Sequence, residues 1–292
     1  MTRKNWALFL SLVVIVAFLP SAPRAEGPAM WRLDTLSTTI YFLGSFHILP
    51  PDTDWRDERI EEAMSAADTV VFEIDEAEMQ RPDAVMLMQR QALLPAGQQL
   101  ADLIAPATYA RVEALAPQVD LPMALLDRFK PWYAGLMLTA GYMVKSGFSP
   151  ELGVESVLQG QSKASGKRLL AFETLEQQLA ALDTLSTADP DAVLLDTMRY
   201  LDDDSDVLDE IVESWRTGNT DALETLLVED IGGYEQAYTA LITDRNRAWV
   251  ARMDDFMAEG GTYFIIVGAA HLVGDDSVIA MLAEKGLVAE RY

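Results

Sequence analysis

Cysteine is absent from the 292 residues, and the whole histidine supply is His47 and His271. The first absence excludes structural disulfides, thiol nucleophiles, iron–sulfur ligation and cysteine-bound zinc, so a metal would need His, Asp or Glu ligands. The second excludes a three-histidine site. Basic residues are scarce, 22 Lys and Arg against 46 Asp and Glu, for a net charge of -24. Without clustered cations to neutralise phosphates, this composition argues against nucleic-acid partners, and the excess acid reads as solvated surface. Long apolar runs are missing too: the longest, Trp6 to Leu19, covers about 14 residues, short of the roughly 20 that span a bilayer as a helix. No linker rich in Gly, Ser or Pro divides the chain. What is abundant is apolar surface, with 50% hydrophobic residues, enough to pack one large domain or two small ones.

Residues 1–25 read as a secretory signal. Arg3 and Lys4 supply the charged start, Trp6 to Leu19 the apolar region, and Pro20 to Ala25 a small, breaker-containing end. Pro23 stands where a cleavage site prefers a residue such as Ala, so an uncleaved anchor is the alternative, and only then does the protein engage a membrane. The remainder, 26–292, is expected to be one soluble domain outside the cytoplasm, periplasmic or secreted.

Met30 to Leu33 and Thr38 to Leu43 are β-prone runs separated by Asp34 to Ser37, an opening hairpin. Ile60, Ala63, Met64 and Ala67 mark one helical face, and Thr69 to Ile74 a buried strand, giving a strand, helix, strand unit. Residues 76–165 are helical in pattern, broken by Pro95, Pro106, Pro117, Pro122, Pro131 and Pro150, before another short strand at Arg168 to Phe172. Helices are expected from Asp189-Pro190 to Trp215 and from Asp221 to Met257, the latter interrupted at Gly232-Gly233. The acidic run Asp202 to Asp206 reads as a loop or solvated helix end. Tyr263 to Val267 is the most apolar strand candidate, followed by a helix from about Asp275 to Glu284 and a last strand from Leu287 to Arg291. The expected fold is α/β: a mixed central sheet built from both ends of the chain, with a large helical middle section.

Both histidines sit in one local setting, a hydrophobic strand followed by Gly-x-x-His: Gly44-Ser45-Phe46-His47 after Ile40 to Leu43, and Gly268-Ala269-Ala270-His271 after Phe264 to Val267. With 17 glycines in 292 residues, random placement gives this coincidence only about 0.3% of the time. Each strand ends at glycine, where an unusual backbone angle or a close chain approach is cheap, and the turn carries imidazole to the C-terminal edge of the sheet, where open α/β sheets place ligands. Other strands deliver carboxylates to the same kind of position. Glu73 follows Val70 to Phe72, and a carboxylate emerging from so apolar a strand needs a partner. It is expected to share a sheet edge with His47 as a neighbour. Glu173 ends Leu169 to Phe172, although Glu173-Thr174 also resembles a helix start. Glu155, in Gly153-Val154-Glu155, brings a further carboxylate or simply meets a helix dipole. Arg245 is a candidate for holding a substrate carboxylate or an oxyanion, or for a structural salt bridge.

Two imidazoles and a carboxylate serve two kinds of hydrolytic site. In one, His47, His271 and Glu73 bind manganese, cobalt or zinc, which acidifies water and polarises a carbonyl. In the other no metal is used: a histidine is general base to water, Glu73 orients it and Arg245 stabilises the oxyanion. A non-catalytic module that binds a peptide or haem in the same cleft is the third reading. The partner is a peptide or small molecule in each case but haem.

Gly44-Ser45-Phe46-His47, the Val70 to Glu73 strand, Phe172-Glu173-Thr174 with Gln177, Arg245-Asn246 and Val267-Gly268-Ala269-Ala270-His271-Leu272 occur in the order found in the TraB/PrgY/GumN/Tiki family, which the whole chain after the signal resembles. The resemblance implies a domain with paired Gly-x-x-His motifs, related in design to the erythromycin-esterase-like and ChaN-like proteins. From the animal Tiki members it implies a membrane-associated, metal-dependent protease whose two histidines and strand glutamate match His47, His271 and Glu73. From PrgY-like members it implies restraint of peptide-pheromone signalling, by cleavage or by binding. Ser45 stands where the family commonly has threonine and Ala270 where it often has glycine; neither change removes a proposed ligand.

Overall fold

The hydrophobic runs from the two ends of the chain meet in one sheet. The computed structural model describes residues 27–198, 201, 207–229 and 232–292; the signal-like segment 1–25 and the acidic run Asp202 to Asp206 lie outside the described residues. Strands β1 (Met30–Asp34), β2 (Thr38–Ser45), β3 (Thr69–Phe72), β4 (Arg168–Ala171), β5 (Gly261–Gly268) and β6 (Glu290–Arg291) are ordered β4-β3-β5-β2-β1-β6. β2, β5, β3 and β4 are mutually parallel, while β1 lies antiparallel to β2, and β6 to β1. This is the expected mixed α/β sheet with a large helical portion.

The apolar content of β5 explains its central place. Tyr263 is 2% exposed and Phe264, Ile265, Ile266 and Val267 are fully buried, as a parallel strand covered on both faces requires. The expected strand, helix, strand unit is present: β2 leads through helix Glu58–Ala66, capped by Asp57 Oδ1 on the Ile60 N–H at 3.1 Å, to β3. Ile60, Ala63 and Met64 are its buried face, as their spacing predicts. The two strands of that unit are not neighbours, however. β5 pairs with β2 on one side and β3 on the other, so the most apolar strand, the last of the four parallel strands along the chain, fills a gap left between them.

In the helical middle, the prolines that interrupt the pattern start elements. Pro106 and Pro131 occupy the first turns of Pro106–Leu115 and Pro131–Lys145, where a missing N–H costs nothing, and Pro150 opens the short turn Pro150–Leu152. These helices enclose a core of their own around Leu100, Val112, Leu126, Leu138, Leu194 and Met198, separate from the sheet core. Nearer the C-terminus, the helical region expected from Asp221 to Met257 contains π-helical stretches at Glu224–Glu229 and Thr239–Thr243, the second running directly into helix Asp244–Glu259. The last helix, Val278–Glu284, begins later than the periodicity suggests because the Ser277 side chain caps it on the Ala280 N–H at 3.1 Å. None of the described helices is long and apolar enough to cross a membrane.

Phe264 is fully buried at the sheet centre, so F264A should lower the unfolding free energy by about 3–5 kcal/mol in denaturant melts. The same truncation at Val85, 62% exposed, should change it by less than about 0.5 kcal/mol.

Candidate active site

Because β2, β5, β3 and β4 are parallel, their C-terminal ends share one edge of the sheet, and each continues into a residue singled out above: His47 after β2, His271 after β5, Glu73 after β3 and Glu173 after β4. The insertion of β5 places the second Gly-x-x-His turn between the first and Glu73. Gly44 and Gly268 do not have positive φ; their role is close approach. A Cβ at Gly44 would stand 3.0 Å from the Ala269 Cα, in the other Gly-x-x-His turn, and one at Gly268 would stand 3.0 Å from Glu73 Oε1.

His47 rides on a loop pressed against the start of helix Val154–Ala164. The Val154 N–H donates to the Phe46 carbonyl at 3.0 Å, and Leu49 and Ser149 exchange backbone hydrogen bonds. Gly153 is required by contact rather than by φ: a Cβ there would lie 2.1 Å from the His47 carbonyl oxygen. Glu155, in the first turn of that helix, accepts from the Ser45 hydroxyl and faces His47 Nδ1 at 2.9 Å through the same oxygen, Oε1. The His47 side chain is 68% exposed and lines a cleft of about 420 Å³ together with Phe72, Glu73, Glu76, Met79 and Glu155. The adjoining Glu155 carboxylate holds the His47 imidazole above its ordinary pKa.

His271 has the opposite environment. Its side chain is 6% exposed, its ring lies 4.4 Å from that of Trp249, and burial takes its pKa down to about 3 despite the pull of Glu73. The hydrogen bonds identify the tautomer. Asn246 donates its Nδ2–H to the Asp276 carbonyl at 2.7 Å, so its Oδ1, 2.6 Å from His271 Nδ1, is the acceptor and Nδ1 carries the proton. His271 Nε2 is then a lone pair, which accepts from Arg245 Nη1 at 3.0 Å.

Glu73, at the end of β3, lies on the far side of His271 from β2. Its Oε1 accepts from the Gly268 N–H at 2.6 Å, and its Oε2 from Arg245 Nη2 at 2.6 Å and from Gln178 Nε2 at 3.4 Å. Burial would raise the Glu73 carboxyl, but Arg245, His47 and the Gly268 N–H outweigh it and hold the carboxyl below the ordinary range. Glu73 raises the proton affinity of both imidazoles, so the three groups are coupled electrostatically. They do not form a ready ligand set: among the described residues no three His, Asp or Glu side chains are grouped to hold a metal.

Arg245 joins the remaining groups. Its Nε donates to Glu173 Oε1 at 2.7 Å and its Nη1 also to the Leu241 carbonyl at 3.1 Å, while Trp249 Nε1 donates to the same Glu173 oxygen at 2.8 Å. The helix start suspected at Glu173 belongs to its neighbour: Thr174 and Gln177 form the capping box, which leaves Glu173 for the site. Sequence reasoning did not assign roles to Asn246, Gln178 or Ser45. Asn246 had a usable signal. With Trp249, Val250, Met253 and Phe256 it follows the buried face of its helix, and a polar residue on such a face needs a partner.

A family model described as the TraB/PrgY/gumN family matches residues 29–291. No significant match is found among curated proteins or among solved structures.

With only two histidines, imidazole NMR reads each one separately. One resonance should titrate with a midpoint above the ordinary 6.5 and the other should remain neutral from about pH 5 upward; E155Q should bring the first midpoint down toward 6.5 and leave the second in place. G153A should lower the melting temperature and broaden the His47 resonance, because its methyl group has no room without moving the His47 peptide.

Proposed function

This chain belongs to the TraB/PrgY/gumN family, and we propose that it is a hydrolase acting outside the cytoplasm at the cleft between His47 and Glu73, with peptides as the first substrate class to test. One observation carries the reading. Each imidazole is held through Nδ1 by a protein acceptor, His47 by Glu155 and His271 by Asn246, which makes Nε2 the working nitrogen of both, with the Glu73 carboxylate 3.8 Å from that of His271. Orientation of this kind by outer groups is how proteins prepare histidines for metals or for proton transfer.

The residues fit a divalent cation in kind and in charge. Two imidazoles and a carboxylate suit manganese, cobalt or zinc. Glu73, Glu155 and Glu173 outnumber the cations Arg245 and His47, and Glu155 Oε2 and Glu173 Oε2 are buried without hydrogen-bond partners. His47, His271 and Glu73 would be the ligands. When bound, the cation supplies Lewis acidity toward a substrate carbonyl and an attacking water. Glu73 would serve as a ligand or as general base to that water. Glu155 and Asn246 keep the two rings aimed, and Phe72 and Met79 give the cleft apolar wall. The Arg245 guanidinium supplies N–H donors for a carboxylate or an oxyanion of the substrate.

The His47–Glu155 pair also supports a metal-free reading, because a cleft-facing histidine oriented by a carboxylate is itself an acid–base device. Chelation separates the two. Purified protein should cleave members of a peptide library, read by mass spectrometry, and H47A, H271A and E73Q should each lower kcat/KM at least about 100-fold while circular dichroism stays unchanged. Activity lost on exhaustive chelation and restored by manganese, cobalt or zinc supports the metal reading; activity that survives chelation transfers the chemistry to His47 and Glu155. Peptide binding without turnover under any metal overturns the hydrolase and leaves a binding module.

A further inference from the structure

The strongest unexplained feature of the site is that one side chain already occupies two of the three proposed ligands. The Arg245 guanidinium spans Glu73 Oε2 at 2.6 Å and His271 Nε2 at 3.0 Å. A lone pair that accepts an N–H is not open to a metal, and a guanidinium in contact with both groups repels any cation brought to them. Yet Arg245 also has somewhere to go. Its Nε is anchored on Glu173 Oε1 at 2.7 Å, and the second oxygen of that carboxylate, Glu173 Oε2, is buried with no hydrogen-bond partner. Arginine and a carboxylate pair best through two parallel N–H···O bonds, and here only one of the two is made. Buried oxygens are rarely left unsatisfied. The indole of Trp249, whose ring centre is 4.9 Å from the Arg245 Cζ, flanks the guanidinium and donates to Glu173 Oε1, so the carboxylate keeps its position if the guanidinium turns. The backbone immediately before Arg245 is the π-helical turn Thr239–Thr243, a form of helix found where function calls for a local adjustment.

We propose that Arg245 is a two-position counter-cation: in the cation-free protein it bridges Glu73 and His271, and on binding of a divalent cation it withdraws from His271 onto both oxygens of Glu173. This rests on the metal reading given above and adds to it a regulatory contact that keeps the buried carboxylate neutralised when no metal is present. Metal affinity is then set by the competition between Arg245 and the cation, and Glu173 is a positioning residue that acts through Arg245.

Isothermal titration of the purified full-length protein with manganese chloride, and separately with zinc chloride, tests this without recourse to activity. R245K retains the positive charge but cannot bridge Glu73, Glu173 and His271 with one ammonium, so it should bind metal at least tenfold more tightly than the wild type. E173Q replaces the vacant acceptor by an amide donor and removes the second position, so it should bind at least tenfold more weakly. Opposite changes from two neighbouring substitutions are not what general damage to the site produces. If R245K fails to fold, judged by circular dichroism, E173Q alone decides. Wild-type affinity in E173Q, or affinity no higher than wild type in a folded R245K, overturns the two-position arginine and leaves the metal site standing. Absence of binding in the wild type and in both folded variants overturns the metal reading and this inference with it.

Discussion

An ionised carboxylate at the end of a buried strand has to be neutralised where it stands, and that requirement at Glu73 organises this end of the molecule. Removing one partner from a buried ion pair costs about 3–5 kcal/mol, so the partners of Glu73 are as constrained as the carboxylate itself. One oxygen takes the Gly268 backbone N–H, and the other takes Arg245 and Gln178. The first contact fixes the end of β5 against the end of β3, and the second brings helix Asp244–Glu259 over the sheet edge. Glu173, Trp249 and His271 then assemble around the same guanidinium.

The two histidines occupy matching sequence settings and end in unlike surroundings. His47 opens to the cleft beside Glu155, and His271 is enclosed by Trp249, Arg245 and Asn246. The difference follows from position in the sheet. β5 is central, so the turn after it is covered by the helix that precedes it, whereas the turn after β2 packs on Trp215 and the start of helix Val154–Ala164 and leaves its imidazole at the mouth of the cleft. Their chemistry diverges accordingly: an imidazole beside a carboxylate retains its proton, and an imidazole buried against a guanidinium gives its proton up. A common feature survives, since Nδ1 is engaged by a protein acceptor in both.

Much of this is legible in the sequence. The face Ile60, Ala63 and Met64, the strands at both ends of the chain, and the carboxylates Glu73 and Glu173 at strand ends follow from periodicity and from the cost of burying charge. Glycine in the Gly-x-x-His turns was readable as a site of close approach, although not what it approaches. Other features left no local trace. The insertion of β5 between β2 and β3 depends on a strand nearly 200 residues farther along the chain (β3 Thr69–Phe72, β5 Gly261–Gly268). Gly153 looks like a loop glycine until the His47 carbonyl is found against it. Thr174 and Glu173 compete for the same helix-start reading, and only the buried Arg245 and Trp249 decide which of them caps and which serves the site.

The sequence by itself determined which groups are candidates for chemistry here. With no cysteine and two histidines, both set just past apolar strands, the candidates were few, and a charge that follows a buried strand identifies itself because burial without a partner is too costly. Only the tertiary structure decided how those groups are paired: Glu155 with His47, Asn246 with His271, and Arg245 with Glu73 and Glu173. The physical reason is range. Strand and helix patterns are written in neighbouring residues, whereas each of these hydrogen bonds joins different elements of the chain, and it forms only where the sheet order brings their ends to one edge.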